Sequence, residues 1–245
     1  MPVHLGAPTA KNAPYDRCRQ PRRTLCPSGH HARLVLEHFC GSRHISRWQG
    51  LNPSGLHVAL TNRRGATNDP ARRSRGQLCI DALRLHSARA ATDWLPIGYS
   101  TTSYTCATIP CNLLVSDGTQ AFVIHYDGSD ARPIPLTPGL HLLSETNIND
   151  PDHPRIKHAR AALTPLPNNW TALKEKLQTL LADHNQDGAI CLHGERGGTL
   201  SSALLALRER SLRSGQFHFA DGPPCTAPYL DLSAELQNYK RDIAV

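Results

Sequence analysis

Hydrophobic and polar positions alternate in several short runs of the chain, and each run is bounded by turn-forming residues. Leu56-His57-Val58-Ala59-Leu60 follows the turn Asn52-Pro53-Ser54-Gly55 and predicts a strand entered from a tight turn. Residues 112–116 and 120–126 predict two strands joined by Asp117-Gly118, a dipeptide that favours a tight hairpin. Further strands are predicted over 140–144, 189–193, 200–207 and 216–220. Apolar spacing of three and four residues predicts helices over 77–94 and 170–184, with Leu173, Leu177, Leu180 and Leu181 on the buried side of the second. A shorter helix is expected over 155–163, following Pro154. Hairpin strands with helices grouped between them imply an α+β fold of largely antiparallel sheets.

Composition changes this picture at one end. Apolar residues make up 39% of the 245 and aromatics 5%, which suits a chain able to bury a core. No apolar run reaches the roughly 18 residues of a membrane span, and Met1-Pro2-Val3-His4-Leu5-Gly6 has no apolar stretch of a secretory leader. A cytoplasmic protein is expected. The formal net charge of +7 is uneven. Residues 1–47 carry eight Lys and Arg against Asp16 and Glu37, whereas the rest is nearly neutral. Residues 1–47 therefore read as a divergent basic arm with the composition of a poorly ordered tail, and 48–245 as the folded domain. A basic arm can hold phosphates, but the arginines lack interleaved aromatic platforms, so nucleic acid is not the expected partner.

Several chemical groups need separate readings. Cys18, Cys26, His30, His31 and Cys40 offer soft donors without the close cysteine pairing of zinc modules. Cys191 and His193 share one face of an expected strand and read as a buried thiol beside a hydrogen-bonded ring, rather than a nucleophile and its base. Asp183-x-Asn185-x-Asp187-Gly188 copies the first half of a calcium loop, but its twelfth position is Gly194, so a helix-ending turn is expected. Asp221-Gly222-Pro223-Pro224-Cys225 reads as a rigid structural turn. Neither a metal site nor a cofactor is expected.

An ordered set of motifs carries a family resemblance. Residues 48–64, Trp-Gln-Gly-Leu-Asn-Pro-Ser-Gly-Leu-His-Val-Ala-Leu-Thr-Asn-Arg-Arg, come first. Then follow Ser74-Arg75-Gly76, Cys111-Asn112-Leu113-Leu114-Val115-Ser116-Asp117, Leu136-Thr137-Pro138-Gly139-Leu140-His141-Leu142-Leu143-Ser144 and Gly198-Thr199-Leu200-Ser201-Ser202. Over roughly residues 48–236 this series resembles the NRDE family, that of the Transport and Golgi organisation protein 2. The resemblance implies an N-terminal-nucleophile hydrolase-like fold with four αββα layers. It also implies amide hydrolysis by an N-terminal Cys whose own amine acts as base, with an Asn stabilising the oxyanion. Here Pro2 follows Met1, the Asn-Arg-Asp-Glu tetrad is absent, and Leu200 stands where an arginine is often found. Asn62 is similar in position to the oxyanion Asn of related cysteine amidases, and Asn147 is a second candidate. Arg63, Arg64, Arg75 and Ser201 are candidate ligand contacts. The expectation is a family member whose ancestral C–N hydrolase activity is lost. The alternatives are a small-ligand carrier, for haem or an acyl anion, and a basic-arm nucleic-acid binder.

Overall fold

A computed structural model describes residues 49–65, 75–100, 109–184, 187–195, 197–208 and 211–238. The basic arm lies outside them. They divide into two compact units, the first ending at Pro135 and the second beginning at Leu136. Among the described residues no helix is long and apolar enough to cross a membrane. Both units combine helices with antiparallel sheets, so the α+β expectation holds.

The first unit is a five-stranded sheet in sequential order, β1 (Gln49–Leu51), β2 (His57–Asn62), β3 (Cys111–Ser116), β4 (Ala121–Tyr126) and β5 (Ala131–Pro135). Every neighbouring pair is antiparallel. Side chains alternate across the sheet. Val58, Leu60, Leu113, Val115, Ile124 and Tyr126 meet Leu78, Ala82, Ala91 and Leu95 in one core. The opposite face carries the equally buried Ala59, Leu114 and Val123. That double burial is why Leu113-Leu114-Val115, at the middle of β3, runs apolar without alternation.

Two expectations here need correction. The helix expected over 77–94 is two helices, α1 (Arg75–Ala82) and α2 (Ala88–Ser100). The carbonyls freed at the break, those of Leu83 and Leu85, accept hydrogen bonds of 2.9 and 2.6 Å from the Asn52 side chain. Ser87 restarts the helix, its Oγ accepting from the Ala90 amide at 3.1 Å. The Pro-rich segment 131–135, which is not among the expected strands, forms β5. Pro133 and Pro135 are tolerated because this strand lies at the sheet's edge, where one row of amides has no partner strand to serve.

The second unit pairs helices α3 (Pro154–Leu163) and α4 (Trp170–Leu181) with a three-stranded antiparallel sheet, β6 (Ser202–Arg208), β7 (Ser211–Ala220) and β8 (Leu230–Asp231), and ends in α5 (Ser233–Asn238). Asn169 caps α4, its side chain accepting from the Ala172 amide at 2.9 Å. The expected leucine stripe of α4 is buried against Ile156, Ala159 and Leu163 of α3, with Leu142, Ile190 and Leu204 completing the core. A fully buried leucine contributes about 1.5–3 kcal/mol, so this cluster accounts for much of what orders the unit.

Residues 140–144 do not form the expected strand. Leu142 donates to the Asn149 side chain at 2.9 Å, and its carbonyl accepts from the Asn149 amide at 2.8 Å. Asn149 itself is in the left-handed region at φ 57°. Both backbone groups of Leu142 are thus consumed by one loop residue. Residues 189–193 are likewise irregular, for a reason that bears on the site.

Candidate functional site

The first group of candidates lies at the end of β2. Thr61 pairs in register with Asn112 of β3, which pairs with His125 of β4. The Asn112 side-chain oxygen accepts from Arg63 Nη1 at 2.7 Å and stands 2.7 Å from His125 Nδ1, while its Nδ2 donates to Thr61 Oγ1 at 3.1 Å. Arg63 Nη1 is also 3.1 Å from His125 Nδ1. Burial, and secondarily the charge of Arg63, pulls His125 down to about 4. The ring is therefore neutral near pH 7, and its buried Nε2 has no hydrogen-bond partner among the described residues.

Asn62 points the other way. One residue beyond Thr61, it shares the face of Val58 and Leu60, and its register partner is Cys111. Its buried Oδ1 has no hydrogen-bond partner among the described residues. Arg75, the first residue of α1, reaches the same sheet end: its Nη1 donates to the Pro110 carbonyl at 3.4 Å, one residue before Cys111. Burial pulls the Arg75 guanidinium below its ordinary value, with Cys111 acting in the opposite direction. Arg64 is exposed in the following turn. Asn62, Arg63, Arg64 and Arg75 thus gather at one end of the first sheet, with Asn62 and the Arg63 network using opposite faces.

Two thiols are described in this unit, Cys79 and Cys111, and both are fully buried. Desolvation, and then the neighbouring Cys111, pushes the Cys79 thiol far above its ordinary value. Neither is presented to a ligand in the form a nucleophile needs.

Asn147 and Ser201 belong to the second unit. Asn147 is exposed in a turn, where its carbonyl accepts from the Asp150 amide at 3.3 Å. Ser201 is half-buried immediately before β6.

The second unit also assembles a group that sequence reading saw only in part. After α4 the Asp183 carbonyl accepts from the amides of both Ile190 and Cys191, at 3.2 and 2.9 Å. The Asp183 carboxylate pairs with His158, and Gly188 packs so closely on α3 that a Cβ would stand 2.8 Å from the His158 Cβ. The described residues 182–184 and 187–190 are turn and irregular backbone following the helix. Thr199 then clamps the next stretch: its amide donates to the Leu192 carbonyl at 2.8 Å, and its Oγ1 accepts from the Leu192 amide at 3.0 Å. These ties take the backbone groups that the expected strand would have spent on a neighbour. They bring His184 and His193 to a ring-centroid separation of 5.0 Å.

Cys225 arrives from the Pro-rich turn after β7, where the Pro223 carbonyl accepts from the Thr226 and Ala227 amides at 2.9 and 2.8 Å. Its Sγ lies 3.5 Å from Cys191 Sγ and 3.1 Å from His193 Nε2. Cys191 Sγ is 3.9 Å from His193 Nε2. The sequence signalled the Cys191–His193 pair but not its meeting with Cys225, which lies 32 positions beyond His193.

Comparison with known proteins gives three results. A family model described as Transport and Golgi organisation 2 matches residues 33–203. No curated protein matches the sequence. Among solved structures, two variants of the conjugated bile acid hydrolase from Clostridium perfringens are similar at 12% identity, over 78% of this chain and 74% of theirs, with TM-scores of 0.40 and 0.39.

Proposed function

Since the chain belongs to the Transport and Golgi organisation 2 family, we propose that it works as a non-hydrolytic binder of a small carboxylate or acyl anion, on a frame whose ancestral chemistry was amide hydrolysis. The observation that supports this reading is that Asn62 and Arg75 come to the same sheet end, in a unit whose described thiols are both sealed in the core.

Amide hydrolysis by a thiol needs the sulfur within attacking distance of a bound carbonyl and able to give up its proton. Cys79 and Cys111 are fully buried and fail the first need, and burial also holds the proton on Cys79. The groups that remain suit binding. A guanidinium forms its strongest hydrogen bonds with carboxylate, and partial burial of Arg75 strengthens that attraction by lowering the local dielectric. The Asn62 Nδ2 would donate to a ligand oxygen as an oxyanion donor does. Arg63 is aimed by Asn112, whose side-chain oxygen accepts from its Nη1, so its position is fixed before a ligand arrives.

The test is to incubate the protein with N-dodecanoylglycine, following amine release and bound ligand together. Saturable binding without amine release is expected. Saturable amine release, or no binding, would refute the reading.

A further inference from the structure

We infer that His184, Cys191, His193 and Cys225 form a four-donor site for a zinc-type divalent cation, which locks the loop after α4 to the turn after β7. This site lies wholly in the second unit and is independent of the anion-binding reading.

One ligand atom from each residue lies within 4.8 Å of the other three. A tetrahedral zinc ion with Zn–S near 2.3 Å and Zn–N near 2.0–2.1 Å places its donors about 3.3–3.8 Å apart. The observed 3.5 Å between sulfurs and the 3.1 and 3.9 Å from His193 Nε2 to the two sulfurs straddle that range. Shifts of a few tenths of an ångström suffice to close the coordination. Two sulfurs and two imidazole nitrogens match a borderline-soft cation, whereas magnesium and calcium require oxygen.

The surroundings fit as well. His184 Nδ1 lies 3.0 Å from the Cys191 carbonyl, and a carbonyl only accepts, so Nδ1 carries the hydrogen and Nε2 the lone pair. A backbone carbonyl fixing the far nitrogen is the usual support of a metal-bound histidine. Cys191 is buried and Cys225 half-buried, while both histidines are exposed. A cation can therefore enter from solvent and meet thiolates whose two charges neutralise its own. Binding releases the two thiol protons to solvent. Four protein donors leave no position for substrate, so the cation cross-links rather than catalyses. It ties together segments held separately by the Asp183, Thr199 and Pro223 hydrogen bonds.

The experiment titrates cobalt(II) anaerobically into the full chain, reduced and stripped with a chelator. One equivalent should give the intense visible bands of tetrahedral cobalt with sulfur charge transfer, and zinc should displace it. Cys225→Ser and His193→Ala should each weaken binding by about 100-fold or more, while Cys79→Ser keeps the full spectrum. Zinc-edge absorption on the wild type should show two sulfur and two nitrogen neighbours, a readout that needs no variant to fold. Weak octahedral bands, an unchanged spectrum in Cys225→Ser, or a Cys191–Cys225 disulfide in protein purified under reducing conditions would each overturn the proposal.

Discussion

His125 Nδ1 stands 2.7 Å from the side-chain oxygen of Asn112, its register partner on the neighbouring strand. With Nδ2 of Asn112 turned to Thr61, that oxygen accepts, so the neutral ring carries its hydrogen on Nδ1. Burial and the Arg63 charge hold the ring's pKa at about 4 in the folded protein, against about 6.5 in an unfolded chain. Below about pH 6.5 the unfolded chain takes up a proton that the folded ring refuses. Stability should therefore fall as pH drops from about 6.5 to about 4 and level off below that. The loss should be about 1–2 kcal/mol, less than the full shift implies because the ring is only half-buried. Denaturant unfolding at about pH 7 and pH 4.5 should show a smaller decline in His125→Gln than in wild type; equal declines would contradict the assignment.

Asp117 should carry stability at its hairpin turn. It is fully buried, and its Oδ1 accepts from the Thr119 amide, the Thr119 hydroxyl and the Gln120 amide, while Oδ2 accepts from the Ala88 amide at the start of α2. Burial alone would raise this carboxyl; the Thr119, Ala88 and Gln120 hydrogen bonds outweigh it and hold the pKa at about 2. That stability is present above about pH 3.9 and lost as pH falls through about 2. Asp117→Ala should cost about 2–4 kcal/mol by leaving buried amides unpaired. Asp127 occupies the same kind of turn but is exposed, and Asp127→Ala should cost clearly less in the same denaturant measurement.

Gly198 is a third point of sensitivity. A Cβ there would stand 2.5 Å from the Leu192 carbonyl oxygen, the acceptor that Thr199 uses to clamp the loop. Gly198→Ala should lower stability by about 2 kcal/mol, since backbone rather than a side-chain tip must move. Calorimetric melting checks the stability loss, and the cobalt titration should weaken in parallel because Cys191 and His193 flank the clamped residue.

Thiol reactivity separates the two units. Among the described cysteines of chelator-stripped protein, Cys225, half-buried, should react first with iodoacetamide, Cys191 more slowly, and the fully buried Cys79 and Cys111 only on unfolding. Peptide mapping after timed alkylation reads this order; rapid labelling of Cys111 in the native protein would mean that the first unit does present a thiol.

Local chemistry made much of the fold legible. Asp117-Gly118 announced the β3–β4 hairpin, and the leucine spacing announced α4, because each signal is complete within a few residues. The failures share a cause: a distant residue supplied what the local pattern lacked. Asn52 stabilises a helix break more than thirty residues away, and Asn149 takes both backbone groups of Leu142. Edge placement, which no local pattern states, turned a proline-rich run into β5. For the site, Asn62, Arg63 and Arg64 stood together in one motif, whereas the meeting of Cys225 with Cys191 depends on two separate turns. Spacing between those residues carries no recognisable metal signature.

The central claim is that guanidinium groups at the end of the first sheet hold an anionic ligand. Calorimetric titration of dodecanoate into wild type, Arg75→Gln and Arg75→Lys tests it most directly. Loss of one charge-assisted contact should weaken binding about 10- to 100-fold in Arg75→Gln, with partial recovery in Arg75→Lys and weakening of wild-type binding by salt. Equal affinity in all three proteins, independent of salt, would contradict the account.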